Sequence, residues 1–143
     1  MELAGGDANR GRALFASDRL KSSTCHRIRG EGQTIGPDLS NLAHRDLASV
    51  LRDIRDPDAM IHPDYVAWNL ELQGGGSLTG FLRLRSPEAY TLLGADGKES
   101  VVDRAEVVEL RPSPVSLMPT GLLDGLDEGQ VRDLLTFLVK PEP

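Results

Sequence analysis

With 143 residues, 39% of them hydrophobic, the chain has material for one compact core, or one core carrying a sizeable insertion, and too little for two full ones. A formal net charge of −6, a pI near 5.0 and the lack of any Lys/Arg cluster argue against a phosphate-gripping surface for DNA or RNA. The carboxylates suit a basic protein partner, or are merely solvated.

No apolar run approaches the length of a membrane span. Met1 to Gly6 shows neither the charged nor the hydrophobic region of a secretory signal, so the chain reads as a mature or excised piece. One cysteine rules out an internal disulfide and leaves the redox compartment open. Aromatic residues are only 4%, which implies a thin aliphatic core. A large flat cofactor would fill it, although Leu and Val fill many small helical domains unaided.

In chain order, Asp7 to Ser17 reads as a helix, with Asp7 as its cap and Ala8, Gly11 and Phe15 along one face. Gly11 would let another helix come close. Lys21 to Leu42 holds glycines, a proline and no sustained period, and reads as a short turn followed by loop. Leu47, Val50, Leu51 and Ile54 stand at i, i+3, i+4 and i+7, which predicts a helix over Asp46 to Arg55, capped by Asp46 and closed by Asp56-Pro57.

The period then changes. Val66, Trp68, Leu70 and Leu72 alternate, as do Leu78, Gly80, Leu82 and Leu84 beyond Gly74-Gly75-Gly76, which is a hairpin pattern. Tyr90 to Leu93 and Ser100 to Leu110 flank Ala95-Asp96-Gly97, whose Asp-Gly step predicts a second hairpin. A meander of about four strands follows from this. Asp127 and Gln130 form a capping-box pattern ahead of Val131, Leu134, Leu135 and Leu138, predicting a last helix over about Glu128 to Val139 that Pro141 stops.

The most chemically loaded residues are Cys25 and His26. A thiol that adds across a haem vinyl group holds the ring while the next residue's nitrogen reaches the iron. The full attachment motif is C-x-x-C-H, with two cysteines meeting two vinyl groups from one side. Here the stretch is Ser22-Ser23-Thr24-Cys25-His26, and the hydroxyl of Ser22 cannot form a thioether. At most one covalent link is expected.

Around this motif stand GDANRGRALF before it, IGPDL after it, and SLMPTGLLDGLDEGQVRDLLTFL near the end. With them the chain resembles the class I c-type cytochromes over roughly Gly6 to Leu138. It is most similar to the haem-binding domains attached to planctomycete-type large dehydrogenases, in which a small sheet is inserted before the methionine loop. The resemblance implies a mainly α, cytochrome c-like helical fold around one haem, a single domain over 1–143, and an inserted antiparallel meander at about 64–111.

It further implies haem c attached through Cys25, with His26 as the proximal iron ligand and Met118, in Leu117-Met118-Pro119, as the distal one. Pro37 would accept a hydrogen bond from the other ring nitrogen of His26, which fixes the imidazole's tautomer and tilt. Leu39, Leu42 and Leu122 are candidates to line the haem edge, and ordinary packing explains them equally well. Gly11 and Phe15 would cross the last helix near Leu134 and Phe137. A His/Met pair leaves no open position and favours electron transfer over substrate chemistry. The expected protein is therefore an electron carrier and not an enzyme, located in the periplasm. Its redox partner would be a dehydrogenase domain or a downstream cytochrome, with no nucleic acid and no membrane insertion by this chain.

Rival readings of the same residues stand beside this one. Met118 suits a gap-filling core position, and Met60 and His62 are alternative distal ligands outside the methionine motif. Cys25, His26, His44 and His62 lack the short paired spacings of structural zinc. Cys25 and His26 are adjacent on a turn and so point apart, which disfavours a thiol–imidazole nucleophile. His44 and Arg45 read as a surface turn, with a contact to haem propionates as the functional alternative. A haem-free interaction module on the same scaffold and a haem sensor or peroxidase-like protein with an open distal position complete the alternatives.

Overall fold

A computed structural model describes residues 2–141, and the chain divides into two compact units, Met1–Pro57 with Thr120–Pro143, and Asp58–Pro119. The first is helical. It contains α1 (Ala8–Phe15), the single turn α2 (Ser22–Cys25), a two-stranded ribbon of β1 (Arg27–Ile28) and β2 (Glu31–Gly32), a 3-10 turn over Ser40–His44, α3 (Leu47–Arg55) and α4 (Glu128–Leu138). The caps are those the sequence predicts. The Asp7 carboxylate accepts from the Asn9 and Arg10 N–H groups, Asp46 accepts from Ser49 N–H, and Asp127 and Gln130 form a reciprocal capping box.

Its core gathers Phe15, Leu20, Ile28, Val50, Val131, Leu134, Leu135, Phe137 and Leu138. The closest approach is between α1 and α4, where a Cβ placed on Gly11 would lie 1.9 Å from the Asp133 carbonyl oxygen and 2.7 Å from Phe137 Cβ. Only a hydrogen fits there. Phe15 then packs on Phe137 with ring centroids 5.5 Å apart, so the helix contact implied by the resemblance is present. The buried Asp133 accepts from Asp7 N–H at 2.8 Å and from Arg10 Nε at 2.7 Å, tying α4 to the first turn of α1.

The second unit is a five-stranded antiparallel sheet of β3 (Trp68–Leu72), β4 (Ser77–Arg85), β5 (Ala89–Leu93), β6 (Glu99–Asp103) and β7 (Val107–Pro112), in the order β6-β5-β4-β3-β7. Strands β6 and β7 are consecutive in the chain yet lie at opposite edges. The link from Asp103 to Val107 can span at most about 14 Å, whereas four interstrand spacings of a flat sheet take about 19 Å. The sheet must therefore curl. Gly80 permits this, since a Cβ there would sit 2.6 Å from the Leu93 carbonyl oxygen, and a register shift between Leu82 and Leu84 adds to the bend. The 3-10 turn Arg104–Glu106 fastens the two edges, with Gln73 N–H donating to Glu106 O and Arg104 N–H to Glu88 O. Leu70, Tyr90, Leu92 and Val102 form the core inside the curl.

These observations correct the expectation of a mainly α fold. The architecture is mixed, with 31% helix and 24% strand, a five-stranded sheet and four α-helices among the described residues. The physical reason is that the sheet is more than a small ornament on a helical body, for it encloses its own apolar core. It also has one strand more than the predicted meander. Ser100 to Leu110, which reads as one strand, is broken by the turn at Arg104–Glu106 into β6 and β7. Leu84, read as part of the inward alternation, is 60% exposed, because the shift beside Arg83 turns it outward.

Gly11→Ala should lower unfolding stability by about 1–3 kcal/mol through overpacking, outweighing the roughly 1 kcal/mol by which alanine is the better helix former. A urea midpoint equal to that of the parent would show that the crossing has slack. The Asp133 carboxyl is held below the usual carboxylate range by the hydrogen bond from Arg10 and then by that from Asp7 N–H. A group depressed in this way stabilises above its unfolded-state value of about 3.9, and the contribution is lost as pH falls from there through the folded-state value. Asp133→Asn should accordingly lower the melting temperature at pH 7 and flatten its acid limb. Parallel pH profiles for the two proteins would contradict this.

Candidate functional site

The segment from Ser22 to Ser40 is built largely by its own backbone. Lys21 adopts a left-handed conformation, φ 53°, and starts the turn of α2, on which Ser22 and Cys25 stand three residues apart and so on one side. The His26 N–H donates to Ser22 O at 2.7 Å, and the chain leaves the turn extended. The returning loop then satisfies alternate carbonyls of this stretch. Gln33 N–H donates to Ser23 O at 3.0 Å, Gly36 N–H to Cys25 O at 2.6 Å, and Leu39 N–H to Arg27 O at 2.8 Å.

This wrapping brings His26 Nδ1 to 2.8 Å from the Pro37 carbonyl oxygen. A carbonyl can only accept, so Nδ1 carries the ring proton and Nε2 keeps its lone pair. Burial pushes the imidazole's proton affinity down, against the opposite pull of the Pro37 carbonyl, which favours the neutral ring. Nδ1 to Pro37 is the only hydrogen bond of that ring among the described residues. A neutral imidazole with one nitrogen anchored and the other offered is the form that binds a metal.

Cys25 is half-buried, and burial pushes its thiol up from the ordinary value. That is the wrong direction for a nucleophilic thiolate at neutral pH. In the haem-free chain, alkylation of Cys25 by iodoacetamide at pH 8 should be slower in native buffer than in denaturant. Equal rates would show that the thiol is not shielded.

The other sequence-predicted residues are placed as follows. Pro37 and Leu39 belong to the loop that covers His26, and Leu39, Leu42 and Leu122 pack against the core of the helical unit. Met118 belongs to the unit Asp58–Pro119. It is half-buried in an irregular segment after β7, where its N–H donates to Ser116 Oγ at 3.1 Å and Ser116 N–H donates to Asp58 Oδ1 at 2.7 Å. Of the rivals, Met60 is 81% exposed, and His62 Nδ1 accepts from Asp64 N–H at 3.1 Å, capping its own turn. Arg45 is engaged with Asp53 at 2.7 Å beside the exposed His44. Among the described residues no three His, Cys, Asp or Glu side chains gather as a metal site.

The sequence reading passed over Arg29. It takes φ 46° in the turn between β1 and β2, and its guanidinium donates to Phe137 O at 2.7 Å and Lys140 O at 3.1 Å. It also lies 4.6 Å over the Phe137 ring. A cation at the C-terminal end of α4 meets the partial negative charge that gathers there, and it fastens the ribbon that follows His26. The signal was Gly30 between two short extended stretches. No protein-family model matches the chain, and no curated protein matches it.

Proposed function

We propose that this chain carries one haem of the c type, joined by a single thioether to Cys25 and ligated by His26, and that it passes single electrons to and from a protein partner. The observation that carries this reading is the His26–Pro37 hydrogen bond at 2.8 Å, which leaves Nε2 as the offered nitrogen one residue away from a shielded thiol. An imidazole oriented in this way suits a permanent iron ligand. The donor set fits the group, since a thiol at Cys25 and a neutral imidazole at His26 are the two atoms that a single-cysteine attachment needs. When bound, haem supplies an iron that alternates between ferrous and ferric states, and the protein's part is to hold it.

Met118 is the proposed second ligand, on the strength of Leu117-Met118-Pro119 in the methionine motif of the family that the chain resembles. Its thioether would favour the ferrous state and close the sixth position. The net charge of −6 suits a basic docking face on a dehydrogenase domain or a downstream cytochrome. Haem attachment of this type belongs outside the bacterial cytoplasm, so the periplasm is the proposed location.

The test is expression together with haem-attachment machinery, followed by visible spectroscopy and mass spectrometry of the denatured chain. One covalent haem is expected, lost in His26→Ala and in Cys25→Ala. In Met118→Ala the midpoint potential should fall and the reduced protein should become able to bind carbon monoxide. A colourless, unmodified parent chain would sink the proposal. Ready carbon monoxide binding by the parent would remove Met118 as ligand and turn the reading towards a sensor.

A further inference from the structure

Gly36 is buried, and its φ is not positive, since it is absent from the residues of left-handed conformation. Its backbone therefore does not require glycine. What requires glycine is the imidazole of His26. A Cβ built on Gly36 would lie 2.8 Å from His26 Cε1 and 3.1 Å from Nδ1, with the Cys25 carbonyl oxygen next at 3.4 Å. The ring is thus laid against a bare Cα, at the edge that carries the proton donated to Pro37.

The geometry points to Gly36 as a positioning residue for the His26 ligand, an inference that rests on the haem reading above. Two constraints act together on the ring. The Pro37 carbonyl pulls Nδ1 in at 2.8 Å, and the missing side chain of the preceding residue gives the ring room to reach it. The Gly36 N–H, donated to Cys25 O at 2.6 Å, keeps the loop from backing away. A methyl group at this point must rotate the ring or lift the loop, and either movement stretches the Nδ1–H to Pro37 bond. A weaker bond there makes the imidazole a poorer donor to iron. The ferric state then loses more than the ferrous, and the potential rises.

The experiment compares Gly36→Ala with Gly30→Ala in the haem-loaded protein. Gly30 lies in the same loop region, has φ +84° and nothing within 4 Å of a built Cβ, so its substitution strains the backbone without meeting the ring. Both variants should melt earlier than the parent. Only Gly36→Ala should raise the midpoint potential and move the paramagnetically shifted proton resonances of the His26 ring. Unchanged potential and resonances in Gly36→Ala, or equal shifts in Gly30→Ala, would overturn the assignment.

If Gly36→Ala fails to accumulate, the double variant His26→Ala, Gly36→Ala is compared with His26→Ala. Accumulation equal to the single His26 variant is expected, because the ring that the methyl meets is gone. Failure of the double variant alone would place the clash elsewhere and overturn the inference. A parent chain that emerges without haem defeats the functional proposal instead, and this comparison of variants still reads the contact between Gly36 and the ring.

Discussion

The helical unit depends on a contact from which a side chain is missing. Because Gly11 offers only a hydrogen, α1 meets α4 backbone to backbone at Asp133, and Phe15 and Phe137 close the space below. The position that lets the helices touch also presents the carbonyl of Asp133, whose carboxylate reaches back to the first turn of α1. Close packing and a buried polar network thus reinforce one another at a single point. The far end of α4 is then the anchor for Arg29. Through Arg29 the helix pair steadies the ribbon that begins immediately after His26, so the site is braced by the same two helices.

At the site, the recurring device is a loop that satisfies itself. Ser23, Cys25 and Arg27 each give a carbonyl to an amide of the returning chain, and the imidazole of His26 adds one more bond in the same direction. Such a loop can hold a side chain in one rotamer without help from a regular element. The proposed redox role would draw on this, since a ligand already oriented would have little to rearrange when the charge on a bound metal changes.

Much of the architecture was legible where local chemistry is self-sufficient. Asp7, Asp46 and the Asp127/Gln130 pair mark helix starts that the structure contains, and the glycine run and Asp96-Gly97 mark real hairpins. What escaped depends on partners distant in sequence. The turn of α2 and the ribbon after it are held by amides of Gln33 to Leu39, which no periodicity announces. The division of Ser100 to Leu110 follows from the need of β7 to pair with β3, a demand invisible within the segment itself. The same applies to the site. Cys25, His26 and Pro37 stand out by motif, whereas Gly36 and Arg29 matter through the volume or the bond that they supply to residues elsewhere.

The curled sheet has a topological corollary. Its first and last strands are neighbours, with Trp68 opposite Pro112, Ser113 N–H bonded to Ala67 O and Ser116 N–H bonded to Asp58. The chain therefore comes in and goes out at one seam. In polymer terms the two stems of this cassette are already stapled together, so its length adds almost nothing to the entropy of closing the gap between Pro57 and Thr120. Residues added to the loops within the cassette would leave that closure as it stands.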